Sequence, residues 1–560
     1  MTRPKVIIIA MNQPLDTDAH LRERMSGAEK RAERQAHRFK GLDLPGTLRA
    51  VHRHLRRTML RVDGRFMDLL DLMNYVRNGR RPLQVTPENV SEAYSLAQTV
   101  SLNGIYLYQF LKNEGYDPIL VQNYALADLE SLMGEEPLAA CISSNYIFME
   151  EIKAMAGRIK AIRPETAVVA GGMLVKKVLD AGDALPSDAK QYLSSFSGKV
   201  DAFVIEAHGE QTLAKYLRCL SRGEPPAGVP NLGLFSSDGS LRFTRRQAED
   251  VEVDETAIQW DQIPRRYLRP TLPVNSSRGC HYRCRFCTYH WYFPRVHYKS
   301  LQVLRDELCR IRDLGFVRHV RFTDDNFTAD PKRFRAVLEM MIRESFGFSW
   351  SSFARASALK PDLVRLMKRA GCEFVDMGIE SGSDAVLRNM DKKLRREQSL
   401  EAIRALNAEG IYSRGSFIVG FPGETEETFL DTVALINESR LPYYHPYLFY
   451  YSRQSPVHKE RDRFGLQGIG LSWRHDTMDA AEAAGHMGRM IRLVEQGYTD
   501  GIAYVEEVYK ILRGKGYAPD EILKLFALKR ALQLALEEGG EAEVSPEAEK
   551  ILDRLARIVR

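Results

Sequence analysis

Lys5-Val-Ile-Ile-Ile-Ala10 is a short β-branched apolar run, the pattern of a strand buried on both faces of a parallel sheet. A polar stretch of helical period follows, and residues 101–112 resume an amphipathic helix. From there apolar runs at 118–124, 138–144, 166–172 and 200–206 alternate with helical segments, one of them near 147–162. Such alternation predicts a doubly wound, Rossmann-like α/β domain over residues 1–240, with a helical insertion at about 12–100. Residues 241–265 are charged and proline-containing and read as a linker. Runs at 316–322, 348–353, 374–379 and 414–420, each after an amphipathic helix, predict a partial TIM-type (β/α) barrel over 266–450. Beyond about 450 the strand-like runs stop, and 451–560 predicts a helical C-terminal domain rich in Ala, Leu, Glu, Lys and Arg.

At 560 residues the chain suggests two to four domains, and its 44% hydrophobic and 28% charged content is that of a globular protein. No run of 18 apolar residues occurs and the N-terminal run is too short for a signal peptide, so a cytoplasmic location is expected. Seven cysteines in this length do not make a disulfide framework, and a reducing compartment suits thiolate ligands. A net charge of +6 says little about partners. Residues 21–61 differ, with twelve Lys or Arg against four Asp or Glu, among them Arg49, Arg53, Arg56 and Arg57. That face could meet RNA, anionic lipid or an acidic partner, or be a solvated helix surface.

Three of the seven cysteines fall in one loop, Cys280, Cys284 and Cys287, inside Gly-Cys-His-Tyr-Arg-Cys-Arg-Phe-Cys. Three thiolates can hold three irons of a four-iron cluster and leave one iron open, whereas structural zinc normally closes with four ligands. The alternative is a zinc knuckle completed by His281 or His290. Downstream come Asp324-Asp325-Asn326-Phe327, Gly378-Ile379-Glu380-Ser381-Gly382 and Gly420-Phe421-Pro422-Gly423, each at the end of a predicted barrel strand. In the first domain the carboxyl ends of the strands carry Asn12 and Gln13, then Ser143, Ser144 and Asn145, then Gly171 and Gly172, then Glu206, Gly209 and Glu210. Small and polar groups there leave room for a flat ligand.

With Phe286 before the last cysteine, this ordered set resembles the radical S-adenosylmethionine (SAM) enzymes, in the branch with a cobalamin-binding domain ahead of the cluster loop. The resemblance implies a [4Fe-4S] cluster on Cys280, Cys284 and Cys287, with SAM chelated at its open iron. It implies SAM contacts from Phe286, Asp324, Asp325, Arg355, Glu380, Ser381, Ile418, Gly420 and Pro422, and cobalamin contacts from the strand-end residues just named. Helix caps, surface ion pairs or plain strand packing are the other roles open to the aspartates, Arg355 and Ile418–Pro422. Many cobalamin domains carry an axial histidine in Asp-x-His-x-x-Gly; here the nearest match, Asp18-Ala-His20, lacks the glycine, and His20 reads as a surface residue. A Trp473-x-His475-x-Thr477-Met478 segment is similar to one in this branch, either capping the site or packing.

The expected activity is a cobalamin-dependent methyl transfer to an unactivated carbon, or to a phosphinate phosphorus, of a small molecule by way of a 5′-deoxyadenosyl radical. A cyclising or rearranging member of the branch, a methylthiotransferase acting on tRNA or protein, and a non-catalytic cobalamin or metal carrier are the rivals. The methylthiotransferases carry three N-terminal cysteines for a second cluster; here the first 279 residues hold only Cys141 and Cys219. A reductant such as flavodoxin or ferredoxin is the expected protein partner, with no membrane span and no nucleic acid.

Overall fold

A computed structural model describes residues 3–23, 44–249, 252–500, 505–539 and 545–560. The central part of the basic 21–61 segment lies outside the described residues. Two compact units emerge, one of residues 1–14, 86–88 and 100–269, the other of 15–85, 89–99 and 270–560.

The first unit is built on β1 (Lys5–Ile9), which pairs in parallel with β4 (Asp117–Val121) on one side and β5 (Ala139–Ser143) on the other. The sheet continues through β6 (Ala167–Gly171) and β7 (Ala202–Val204), then turns antiparallel in β8 (Leu232–Phe235) and β9 (Leu241–Phe243). Among the parallel strands the spatial order is second, first, third, fourth, fifth, so the order reverses between β1 and β5. In open α/β sheets ligands bind at the carboxyl ends beside that reversal. Ile7, Ile9, Ala140, Ile142, Val168 and Phe203 form its buried core with the helices that flank the sheet.

In the second unit the strands β10 (Thr271–Val274), β13 (His319–Phe322), β14 (Ser349–Ala354), β15 (Cys372–Glu380), β16 (Tyr412–Val419) and β17 (Tyr443–Leu448) lie side by side, all parallel and in chain order. Helices intervene between successive strands, as in a (β/α) barrel segment. Strand alternation sorts the side chains. Register places Arg321, Ser351, Phe374, Asp376, Arg414 and His445 on one face, and Val320, Trp350, Val375 and Met377 alternate with them. A two-stranded ribbon, β11 (Ser277–Arg278) with β12 (His297–Tyr298), brackets the cysteine loop.

The structure corrects three sequence boundaries. The insertion is not purely helical and does not belong with the first unit. Its helix Leu44–Thr58 packs against helix Ala480–Leu493, and the hairpin β2 (Leu60–Val62) and β3 (Arg65–Met67) and helix Leu69–Arg77 share one apolar core with the C-terminal helices. Leu60, Val62, Met67, Leu70 and Met73 are buried there with Val508, Leu512, Phe526 and Leu552, a pairing no local pattern announces. Residues 241–265 are packed rather than a free linker: β9 extends the sheet, Ile258, Trp260 and Ile263 are buried, and Gln109 bonds the Ala257 carbonyl at 2.9 Å. Strands also continue past 450, as a small antiparallel sheet of β18 (Gln467–Ile469), β19 (Ser472–His475) and β20 (Met478–Asp479). Gly465 and Gly470 take positive φ in its turns and Gly468 within β18 itself, which explains why a glycine-rich stretch hid short strands.

Candidate functional site

The cysteine loop starts where β11 ends. Gly279 sits at φ +96°, and a Cβ there would lie 2.3 Å from the Arg295 carbonyl oxygen, so glycine lets the loop turn against the returning chain. Cys284 is buried, Cys280 and Cys287 half-buried, and the thiols lie close enough that Cys284 raises the pKa of both Cys280 and Cys287. Burial first, and then the neighbouring thiols, push Cys287 up to about 11; Cys280 is raised by burial in the same way. Such a trio becomes fully thiolate only when positive charge is placed among it. The loop already offers what a sulfur-bound group needs: the Tyr289 N–H donates to Cys287 Sγ at 3.4 Å, and Arg355 Nη1 stands 3.9 Å from Cys284 Sγ. Three free thiols stand on this one loop, and the thiolates of a four-iron cluster each take a different iron. The donor set fits the cluster.

Asp324 and Asp325, expected at SAM, hold the cysteine loop from below. Asp324 accepts from Ser276 N–H at 3.0 Å, Ser276 Oγ at 2.7 Å and Ser277 Oγ at 2.5 Å, while Asp325 accepts from Gly279 N–H at 2.8 Å. Burial raises both carboxyls, Asp325 to about 6. Arg355 is a clamp as well: its guanidinium lies 3.6 Å from the Tyr282 ring centroid, and Nη2 donates to the Lys392 carbonyl. Arg285 grips the same turn from the other side, with its backbone N–H on the Met390 carbonyl and Nη1 on the Arg388 and Asn389 carbonyls.

That turn presents Lys392, which the sequence reading missed. Its Nζ bonds Glu380 Oε1 at 2.8 Å and stands 5.5 Å from the Phe286 ring centroid, with both charged side chains buried. Glu380 itself has φ +73°, at a register shift in the pairing of β15 with β16. A bulky residue in the left-handed region at a strand end is a stored strain of the kind found at ligand sites. Ser381 Oγ caps the following turn through Ser383 N–H at 3.1 Å. Gly378 leaves room for this pair, since a Cβ there would lie 2.5 Å from Glu380 Oε1 and 3.0 Å from Lys392 Nζ.

At the end of β16 the side chain of Ile418 is half-exposed. Gly420, at φ +87°, donates its N–H to Glu424 Oε2 at 2.5 Å and accepts from His475 Nε2 at 3.2 Å. Trp473 and His475 stack 5.2 Å apart, and Trp473 Cη2 would lie 2.4 Å from a Cβ at Gly420. The Trp473–Met478 segment therefore packs directly on the Gly-Phe-Pro-Gly turn. The Pro422 carbonyl accepts from Asn389 Nδ2 at 3.2 Å, and Phe286 meets Phe421 edge to face at 6.4 Å. Phe286, Glu380, Ser381 and Arg355 are thus brought around the cysteines, with Gly420 and Pro422 joined to them through Phe421 and Asn389.

In the first unit the expected residues gather at the carboxyl edge. Ser144 Oγ and Asn145 Oδ1 accept from Val175 and Met173 N–H at 3.0 and 3.1 Å, and so cap the helix after Gly171-Gly172. Gly172 has φ +107°, and a Cβ would lie 2.9 Å from Asn145 Oδ1. Asn12 Nδ2 bonds Glu151 at 2.9 Å, Gln13 N–H bonds Asn123 at 2.9 Å, and Ser143 Oγ bonds Asn103 at 2.9 Å. Glu206 pairs with Lys176 at 2.8 Å, a partner no motif signalled. Gly209 turns tightly against Val204 before Glu210 opens the next helix. Tyr146 and Phe148, 58% and 59% exposed, project from the loop after β5, beside the strand-order reversal. His20 lies past Leu15, in the segment that belongs to the second unit.

The parallel sheet and the three-cysteine loop define the class, and residues 274–436 match the Radical SAM superfamily. The chain therefore carries a radical SAM domain, preceded by a Rossmann-like unit. An uncharacterized methyltransferase of Pyrococcus horikoshii is 29% identical over 250 residues, 44% of this chain and 54% of that protein. Bacteriochlorophyllide d C-12(1)-methyltransferase of Chlorobaculum tepidum is 30% identical over 177 residues, 31% of this chain and 38% of that protein. The chain thus spans about half or less of the length of these curated relatives. The radical S-adenosylmethionine methyltransferase TsrM from Kitasatospora setae, solved with cobalamin and a [4Fe-4S] cluster, has a TM-score of 0.53 at 16% identity, covering 82% of this chain and 96% of that one. At that identity the likeness is one of fold. Among the described residues no helix is long and apolar enough to cross a membrane.

Proposed function

We propose that the protein is a cobalamin-dependent radical SAM methyltransferase acting on a small molecule. The observation that carries the reading is the joint presence of the clamped three-cysteine loop and a Rossmann-like sheet with exposed aromatics at its order reversal. When bound, the cluster supplies the electron that cleaves SAM and the cobalamin supplies a transferable methyl group.

The chain's own residues do the holding. Cys280, Cys284 and Cys287 would bind three irons, and the Arg355 cation beside Cys284 offsets thiolate charge. Asp324 and Asp325 fix the loop through the Ser276, Ser277 and Gly279 bonds, so the thiolates keep their spacing. Glu380, held in place by Lys392 at 2.8 Å, is set to accept from the amino group of SAM. Phe286, Ile418 and the Gly420–Pro422 turn give an apolar wall that excludes water. In the first unit Tyr146 and Phe148 offer faces to the corrin, and the Cβ-free Gly171-Gly172 lets its tail approach the backbone. The names of the relatives do not fix the substrate of this chain, and an unactivated carbon and a phosphinate phosphorus both stay within the reading. An external one-electron reductant completes the system.

The test is anaerobic purification with cluster reconstitution and hydroxocobalamin, reading bound cofactors by absorbance and 5′-deoxyadenosine formation from SAM with dithionite. Cluster, near-stoichiometric cobalamin and 5′-deoxyadenosine are expected, with the cluster and 5′-deoxyadenosine lost in Cys284→Ala. A cluster that cleaves SAM in a protein retaining no cobalamin would sink the methyltransferase reading.

A further inference from the structure

The outer side of the cysteine loop is framed by exposed cations that the chemistry above does not use. Arg283 is exposed within the loop, and Arg453, Lys459, Arg461 and Arg463 are exposed on the stretch that follows β17. That stretch is fastened to the loop: Val457 N–H donates to the Arg285 carbonyl at 3.0 Å, and Arg285 Nε meets Glu460 Oε1 at 2.5 Å.

Electrostatics show how close the groups are. His290, three residues past Cys287, is held below the ordinary histidine value by burial and then by Arg283 and Lys459. His458 is lowered by burial and then by Arg461 and Arg453. Two carboxylates answer them within 453–463. Glu460 is taken by Arg285 and by Arg463 at 2.8 Å, and Asp462 stands 3.7 Å from Arg461. Arg283, Arg453 and Lys459 stay as positive charge at the rim of the loop. Cys280 and Cys287, which flank Arg283 in the same loop, are half-buried rather than buried.

We propose that this cationic collar is the docking surface of an acidic electron-donor protein of the flavodoxin type, seated on Arg283, Arg453, Lys459 and Arg461. The proposal rests on the radical SAM reading of the loop. One electron passes from the donor's reduced flavin to the oxidised cluster; the flavin is left one electron more oxidised, the cluster one electron more reduced, and no bond forms or breaks at docking. Complementary charge of this kind sets encounter rate and orientation, which suits a transient redox partner. A nucleic acid would meet the same charge, but the chemistry of the loop calls for an electron and not for a phosphate backbone.

The test uses the reconstituted enzyme and an oxidised bacterial flavodoxin as probe, with association followed by biolayer interferometry. Binding is expected to weaken by about tenfold or more on going from low to physiological salt, and by about tenfold or more in the triple variant Arg453→Glu, Lys459→Glu, Arg461→Glu. In that variant dithionite, which needs no docking, should still drive 5′-deoxyadenosine formation at the wild-type rate. If the triple variant fails to fold, Arg453→Gln with Lys459→Gln and the salt dependence of the wild type decide. Flavodoxin binding indifferent to salt and to charge reversal overturns the proposal, as does charge-dependent binding of a tRNA probe where flavodoxin does not bind. Loss of dithionite-driven SAM cleavage in the wild type would instead defeat the radical SAM reading itself.

Discussion

Gly420 is the position where the Gly-Phe-Pro-Gly motif meets the rest of the molecule. In Gly420→Ala the new Cβ would lie 2.4 Å from Trp473 and 2.6 Å from Ala483 at φ +87°, so clash and backbone strain add. We expect a loss of about 2–4 kcal/mol in denaturant unfolding. Its partner Glu424 gives a pH test, because burial raises that carboxyl to about 8 and only the Gly420 N–H opposes the shift. Below about pH 4.5 the group is protonated in both states. Between there and pH 8 the unfolded chain releases a proton that the folded chain keeps, so stability falls as pH rises, and the fall stops above 8. Glu424→Gln retains an acceptor for Gly420 and should flatten that decline, leaving the variant more stable than wild type at pH 8 in thermal melts. At this scale the sequence displayed Cys280, Cys284, Cys287, Phe286 and Glu380, because their motif is local. It could not display Lys392 or Lys176, whose roles exist only where separate segments meet.

At the scale of elements, helix Val505–Gly514 closes one end of the inner face of the parallel sheet with charge. Arg321 of β13 meets Asp376 of β15 at 2.8 Å and Glu506 of the helix at 2.6 Å, and Arg414 of β16 meets Asp376 at 2.5 Å. Burial alone would raise Glu506, yet Arg321, Lys510 and Arg414 hold it at about 2. Its folded pKa lies below the unfolded one, so its contribution is present above about pH 4.5 and is lost as pH falls toward 2. Glu506→Ala leaves two buried guanidiniums short of a partner and should cost about 3–5 kcal/mol, checked by urea unfolding at pH 7. The strands themselves were legible from period and β-branching, since both are local. The helix that covers their end was visible as a helix, but its target was not, because charged side chains on an amphipathic helix usually face water.

For the whole molecule, the proposal assigns different cofactors to the two units, so their losses should separate. Gly172→Ala strains a φ of +107° and crowds Asn145 and Ser144. Cobalamin retained after desalting should drop several-fold in that variant while dithionite-driven 5′-deoxyadenosine formation holds; coupled loss of both would argue against separate sites. The sequence by itself determined the strand and helix rhythm of both units and the three-thiol loop, because each depends on residues near one another in the chain. Only the tertiary structure decided that residues 15–85 belong with the barrel unit and that 241–265 is packed. It also decided that Asp324, Asp325 and Arg355 brace the cysteine loop, and that a cationic collar from 453–463 rims it. The physical reason is the same in each case: apolar burial and charge pairing are satisfied by whatever surface the folded chain brings near, and that partner is written in the packing rather than in the spacing of residues.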